Sequence, residues 1–203
     1  TLINYLTKIK IFKRVIPSII KRLLKLFRKN IFVYEFDNLK LNINLNEPMD
    51  QLIFFHNKYE KEQVIFLTNS IKDYSVNIFI DVGANSGFYS LQVGKNFPAL
   101  KIIAYEPVKE TFIKFEKNIL LNKNTANINA YNLGLSDQNQ SLQMKAKKKN
   151  GYVQQGGFGI VNHNENTSSL HTEFALFKRG DEEIDLKNNI IFIKIDVEGH
   201  ELN

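Results

Sequence analysis

The chain has 203 residues, 43% hydrophobic and 24% charged, with no cysteine and a formal net charge of +6. That is enough chain for one core of ordinary domain size. It excludes disulfides and thiolate metal sites, and no apolar run approaches the roughly 18 residues a spanning helix needs.

The charge is segregated. Residues 1–30 carry nine basic residues and no acid, leaving a body with 18 basic against 21 acidic residues. A mildly acidic body argues against a nucleic-acid-binding core, which would present its own basic face. The absence of cysteine fits a reducing, cytoplasmic setting. The first residue is Thr1, so a fragment or processed product is expected.

From the N-terminus, Leu2, Leu6, Ile9, Phe12, Ile16, Ile19, Leu23 and Leu26 recur at helical spacing with lysines between them. Pro17-Ser18 is expected to split this arm and open a second helix. Two readings stand: an arm packed on the body or a partner, and a basic amphipathic helix lying on an anionic membrane at the inner surface. "IFVYEF", a "DN" turn and "LKLNINL" read as a hairpin over residues 31–45. A helix is expected over Tyr59–Ile71.

From Ile78 the pattern alternates strand and helix: "NIFIDV", "SGFYSLQVGKN", "KIIAYE", "PVKETFIKFEKNILLN", "NINAYNL" and "NIIFIKIDV". Short β-branched strands separated by helices predict an α/β fold with a parallel sheet covered on both faces. Val108, Phe112, Phe115 and Ile119 mark one helix face, with Pro107 opening it. Residues 136–189 break the rhythm. "SLQMKAK" and "TEFALFKR" alternate as two strands around a long polar loop, so an insertion is expected at about 138–180.

The chemistry concentrates in "IDVGANSG", residues 80–87. In an open parallel sheet, ligands bind beyond the carboxyl ends of the strands where strand order reverses, and Asp81 is at such an end. Gly83 and Gly87 are expected to let a ligand approach the backbone, and the following helix offers N–H groups to a carboxylate. The spacing lacks the middle glycine of a dinucleotide fingerprint. "IIAYEP" ends the next strand in Glu106, where a carboxylate would accept hydrogen bonds from a ribose diol. A ligand with an amino-acid end for the loop and a ribose for Glu106 suggests S-adenosyl-L-methionine. Its adenine would then fall near "NLGLSD", residues 132–137, with Asp137 accepting from the exocyclic amine.

Taken together, "FIDVGANSGFYSL", "AYEP", "LGLSD" and "IKIDVEGHE" resemble the FkbM-type methyltransferases over roughly residues 50–203. The resemblance implies a Rossmann-like class I methyltransferase sheet, S-adenosyl-L-methionine as cofactor, and O-methylation of sugars, glycans or natural products. It assigns Asp81, Gly83, Asn85 and Gly87 to the cofactor loop and Glu106 to the ribose. Asp196 and Glu198 match the family's acidic pair after the fourth strand. Only the first four parallel strands of seven are expected here. They follow a 1–30 arm and a hairpin, so residues 31–203 form the N-terminal part of a methyltransferase domain.

Methyl transfer is an in-line displacement, and much of its catalysis is positioning. An alcohol gains from a base within hydrogen-bond reach. Asp196 is expected beside the reacting centre, with Glu198 and His200 adjacent. Two carboxylates one residue apart are a weak metal signal, and no metal is expected. The polar loop 151–171, with Tyr152 and Phe158, offers stacking groups for a sugar ring. An N-methyltransferase acting on nucleic acid or protein is the nearest rival, although "DVEGHE" stands where a Pro-Pro-aromatic motif would be. A non-catalytic cofactor-binding fragment is the other.

Overall fold

The computed structural model describes residues 12–26, 30–123, 127–149, 152–153, 157–161, 170–184 and 188–197. The chain forms two compact units, Thr1–Lys61 and Glu62–Asn203. The division falls after the hairpin rather than at the charge boundary near residue 30.

In the first unit, helix α1 (Phe12–Leu26) runs through Pro17 without a break, giving up one backbone hydrogen bond and not dividing at that point. Strands β1 (Ile31–Phe36) and β2 (Leu39–Asn44) pair antiparallel, with Phe36 opposite Leu39. Asp37 and Asn38 close the hairpin with φ of 50° and 61°, the left-handed pair that a two-residue turn requires. Leu39, Leu41 and Ile43 are buried on one face of β2.

A helix the sequence pattern did not reveal, α2 (Pro48–His56), follows. Pro48 sits in its first turn, and the Asp50 carboxylate accepts the Asn44 amide at 2.6 Å. Its Phe54 ring packs edge-on against Phe32 and Tyr34, with centroids 5.2 and 5.1 Å apart. The run "LIFF" has no helical period, which hid this helix from a pattern search.

The second unit opens with α3 (Lys61–Asp73), two residues later than expected at either end. Four parallel strands follow: β3 (Ile78–Val82), β4 (Lys101–Tyr105), β5 (Asn127–Tyr131) and β11 (Ile191–Ile195). Their order is β11-β3-β4-β5. The chain steps outward from β3 to β4 to β5 and returns to the other side of β3. Strand order therefore reverses between β3 and β11, as the class I sheet requires.

Helices α4 (Phe88–Asn96) and α5 (Lys109–Leu121) fill the β–α connections. Leu67, Ile71 and Val93 cluster with Phe79 and Ile102, and Phe115 with Ala84 and Ala104. The register aligns these strand residues on one face of the sheet. The other face, carrying Ile78, Ile80, Val82 and Tyr105, meets Leu133 and the half-buried Leu135 and Ile184. There Ile193 and Ile195 stay 43% and 55% exposed, so among the described residues this face lacks the helix layer expected of it.

The insertion forms its own sheet. Strand β6 (Gly134–Ser136) pairs parallel with β10 (Leu170–Arg179), which pairs antiparallel with β7 (Gln140–Lys149). The short strands β8 (Tyr152–Val153) and β9 (Gly159–Ile160) both pair with β7. Between β10 and β11 lies a single helical turn, α6 (Gly180–Glu183). Met144, Ala146, Phe158, Ala175 and Phe177 form a core with Val108 at the start of α5. Glu173 Oε1 accepts the Lys109 amide at 2.8 Å, supplying the α5 N-terminus with a partner from outside the helix. The insertion is thereby fixed to the start of α5, just beyond the carboxyl end of β4.

Candidate active site

The loop from β3 to α4 turns left-handed at Gly83 (φ 72°), Asn85 (φ 53°) and Gly87 (φ 82°). Its amides are occupied by protein acceptors. Those of Gly83 and Ala84 donate to the Tyr105 carbonyl at 3.0 and 2.9 Å, and that of Gly87 to the Ala84 carbonyl at 2.9 Å. Ser86 donates to Asn85 Oδ1 at 2.7 Å, and Asn85 to Glu106 Oε2 at 2.8 Å. No nest of free N–H groups is left from Gly83 to Gly87 for a pyrophosphate, in keeping with the missing middle glycine.

The two glycines serve packing against protein. A Cβ on Gly83 would lie 2.0 Å from the Asp196 carbonyl oxygen, and one on Gly87 would lie 2.0 Å from the Phe115 ring. The close approach expected for a ligand is thus made by β11 and α5. Asn85 reaches its left-handed φ as a residue type whose side chain can bond the next amide.

Glu106 is buried and closes the opposite wall. Besides the Asn85 amide, its Oε1 accepts the Val108 amide at 2.9 Å. One carboxylate therefore ties the glycine loop to the start of α5. The Asn132 side chain fixes the corner by donating to the Glu106 and Pro107 carbonyls at 2.9 and 3.0 Å. Burial pushes the Glu106 carboxyl up to about 7. Its two amide donors and Lys194 work against that rise, while Asp81 adds to it. An ionised carboxylate has about four acceptor sites; the two amides leave room for two hydroxyl donors.

Asp81 lies beneath the loop, fully buried. It accepts the Ser90 hydroxyl at 2.7 Å and faces Lys194 Nζ at 3.1 Å. Lys194 also donates to the Gly83 carbonyl at 3.0 Å and stands 3.7 Å from Asp196 Oδ2. This lysine was not singled out from the sequence. The available signal was a charge inside the apolar strand "NIIFIKI", two residues from Asp196 and so on the same face.

Asp196 follows β11. Its amide donates to the Val82 carbonyl at 3.1 Å and its side chain is 67% exposed. Glu198, His200 and the side chain of Tyr152 lie outside the described residues. Asp137 is exposed, accepting the Ser136 hydroxyl at 3.1 Å.

A cleft opens over these strand ends, with a free volume of about 660 Å³ counted out to its mouth. Gly83, Asn85, Glu106 and Asp196 line it together, whereas Asp81, Gly87 and Asp137 do not. Its remaining wall includes Val108, Gly134 and Leu135 and, from the insertion, Met144, Phe158 and Phe177. A buried carboxylate with spare acceptor capacity, facing a cleft at the strand-order reversal, suits a nucleoside with free ribose hydroxyls. The residues present thus fit S-adenosylmethionine.

The sequence model described as the Methyltransferase FkbM domain matches residues 81–203. Methyltransferase 1 of Beauveria bassiana is 30% identical over 104 residues, 47% of this chain and 41% of that protein. Methyltransferase sdnD of Sordaria araneosa is 32% identical over 65 residues, 32% of this chain and 25% of that protein. The AMB antimetabolite synthetase AmbE of Pseudomonas aeruginosa is 28% identical over 97 residues, 48% of this chain and 4% of that protein. The chain thus spans less than half the length of each of these relatives. Among solved structures, P. horikoshii TYW2 in complex with MeSAdo is 20% identical with a TM-score of 0.39, over 52% of this chain and 36% of that one. That likeness is too distant to carry an argument.

Proposed function

The chain belongs to the FkbM methyltransferase domain family, and from that premise we propose that it transfers a methyl group from S-adenosylmethionine to a hydroxyl on a sugar, glycan or natural-product acceptor. The observation that carries the reading is Glu106, buried at the cleft wall and holding the glycine loop and the α5 start together. In this reading its remaining acceptor sites take the ribose hydroxyls, and Gly83 and Asn85 face the amino-acid end. When bound, the cofactor supplies an electrophilic methyl on a sulfonium. Asp196, two strands away from Glu106, stands at the opposite side of the cleft and accepts the proton that the acceptor hydroxyl loses as its oxygen bonds to the methyl carbon, the carbon–sulfur bond breaking to leave S-adenosylhomocysteine. Two of the curated relatives are named as methyltransferases, in line with methyl transfer.

The test uses the pH dependence of binding. Ribose hydroxyls donate to the ionised carboxylate and so favour it. With the free carboxyl near 7, only about a tenth is ionised at pH 6 and about nine-tenths at pH 8. Affinity for S-adenosylhomocysteine, measured by calorimetry, should therefore rise about tenfold from pH 6 to pH 8 and release a proton on binding. Glu106→Gln should bind weakly at both values with a flat profile, because an amide cannot accept from both the Asn85 and Val108 amides. A pH-independent affinity in the unaltered protein contradicts the assignment. The same raised carboxyl favours the folded state below the ordinary glutamate value near 4.5, and that contribution fades as pH rises through 7.

The N-terminal arm has a separate proposed role. Val15, Ile19 and Leu23 of α1 are about half exposed (49%, 51% and 50%) and share one face at i, i+4 and i+8. Residues 1–30 carry nine basic residues and no acid, a charge complementary to anionic lipid. No described helix is long and apolar enough to cross a membrane. The arm therefore lies on an anionic bilayer surface at the cytoplasmic side. Sedimentation with phosphatidylglycerol vesicles should bring the protein down at low salt and release it as salt rises. Neutral phosphatidylcholine vesicles should not, and Ile19→Glu should abolish the effect. Equal sedimentation with both lipids sinks the proposal.

A further inference from the structure

We infer that Lys194 is the positioning residue of the transfer reaction: held by Asp81 and the Gly83 carbonyl, its ammonium draws the Asp196 carboxylate to the cleft wall and sets the proton acceptor against the glycine loop. This deepens the proposed reaction and rests on Asp196 as the group that takes the proton.

The placement follows from the sheet. The parallel register sets Lys194 beside Asp81, so the two side chains leave the sheet on one face. Asp196 continues the alternation, because its amide still pairs with the Val82 carbonyl, and its side chain leaves on the same face as Lys194. Ile193 and Ile195 occupy the alternate positions. The Tyr89 ring of α4 lies 5.2 Å from the Lys194 ammonium, a cation–π contact. The Lys194 side chain is 17% exposed, enclosed by β3, the glycine loop and α4.

The ammonium is the fixed point of this cluster. Asp81 is fully buried, and among the described residues its Oδ1 accepts no hydrogen bond; the ion pair with Lys194 at 3.1 Å is what compensates it. Withdrawing that charge strands a buried carboxylate, which is strongly unfavourable. The hydrogen bond to the Gly83 carbonyl at 3.0 Å is a second anchor. An ammonium carries three donors. With one given to Gly83 and one turned to Asp81, the third is left for Asp196 Oδ2 at 3.7 Å. The two partners are unequal. Lys194 cannot leave Asp81, whereas the exposed Asp196 side chain turns about its own staggered rotamers. The rotamer that meets Lys194 is the one in which Asp196 lines the cleft. Lys194 therefore acts on where the proton acceptor stands. The glycine loop does not depend on it for shape, because the loop amides are pinned by the Tyr105 carbonyl and by Glu106.

The experiment is a double-mutant cycle of Lys194→Met and Asp196→Asn, carried on Asp81→Asn so that losing the ammonium leaves no buried charge unpaired. The asparagine keeps an amide oxygen for Lys194 and a partner for Ser90, and thermal unfolding verifies each fold. Methyl transfer from S-adenosylmethionine gives kcat and KM, and calorimetry gives the affinity for S-adenosylhomocysteine. Lys194→Met should lower kcat about tenfold, the scale of a misplaced reacting group, with affinity held within about twofold. In the presence of Asp196→Asn the same change should lower kcat no further, since residues that act as a unit are not additive. An equal fall in kcat with and without Asp196→Asn would show that Lys194 acts apart from Asp196 and overturn the inference. A loss of affinity matching the loss of kcat would make Lys194 a brace for the loop alone and overturn it too. Full turnover in Asp196→Asn removes the proton acceptor itself. No turnover in the unaltered protein removes the proposed reaction, and in either case this inference falls with the reading it rests on.

Discussion

A Gly83→Val protein should lose measurable affinity for S-adenosylhomocysteine, by about 10²-fold or more, and unfold at a clearly lower temperature. At φ 72°, a β-branched residue is strained by about 1–3 kcal/mol. The new side chain also starts 2.0 Å from the Asp196 carbonyl oxygen and 3.2 Å from Val197 Cγ1. The carbonyl belongs to backbone that is itself held by the Asp196 amide on Val82, so it cannot turn aside. Relief requires the end of β11 to part from β3, adding about 1–3 kcal/mol of overpacking. It would also pull Lys194 from the Gly83 carbonyl and move Asp196 away from the cleft wall. Gly157→Ala is the matched control, because nothing lies within 4 Å of its added Cβ. Thermal unfolding and calorimetry read the two effects separately. Wild-type values in both for Gly83→Val would overturn the role given to this turn.

The valine fails here for a reason the sequence did not contain. A glycine after a strand announces that something approaches closely, but not whether that is a ligand or another strand. In this fold it is the carbonyl of Asp196, more than a hundred residues downstream. Glu106 was legible because its information is local: an apolar strand, a terminal acid and a proline that stands two residues before the next helix rather than opening it as expected. The four parallel strands were legible for the same reason, each β–α unit being a contiguous segment. Asp137 follows Gly134–Ser136, which is captured as β6 by Phe177–Arg179, a pairing between segments some forty residues apart that no local pattern shows. That pairing uses the "LGLS" backbone as a sheet edge and leaves Asp137 outside the cleft. Alternation identified β7 and β10 as strands but could not say that their apolar face meets Val108. Lys194 was visible as an odd charge in an apolar strand. What no pattern shows is that it would meet Asp81, Gly83 and Asp196 together.

Asp196→Asn should leave S-adenosylhomocysteine affinity within about twofold of the unaltered protein, while methyl transfer falls about 10²-fold or more, the usual range for losing a general base. The separation follows from the position of the side chain. The backbone amide of Asp196, not its carboxylate, anchors the end of β11 to Val82, and asparagine keeps that bond. The carboxylate is 67% exposed at the cleft wall, with no amide of the glycine loop depending on it. Its nearest charged neighbour is Lys194 at 3.7 Å. Lys194 retains its 3.1 Å ion pair with Asp81 and its 3.0 Å bond to Gly83 when the charge on Asp196 is removed. Asparagine therefore preserves shape and loses only the ability to take a proton from an alcohol. The measurement is transfer of a labelled methyl group from S-adenosylmethionine to a panel of saccharide and polyhydroxylated acceptors. The product linkage is assigned by mass spectrometry. Full turnover in Asp196→Asn would remove Asp196 from the proton transfer. A product methylated on nitrogen would replace the hydroxyl acceptor with an amine, for which no proton acceptor of this kind is needed.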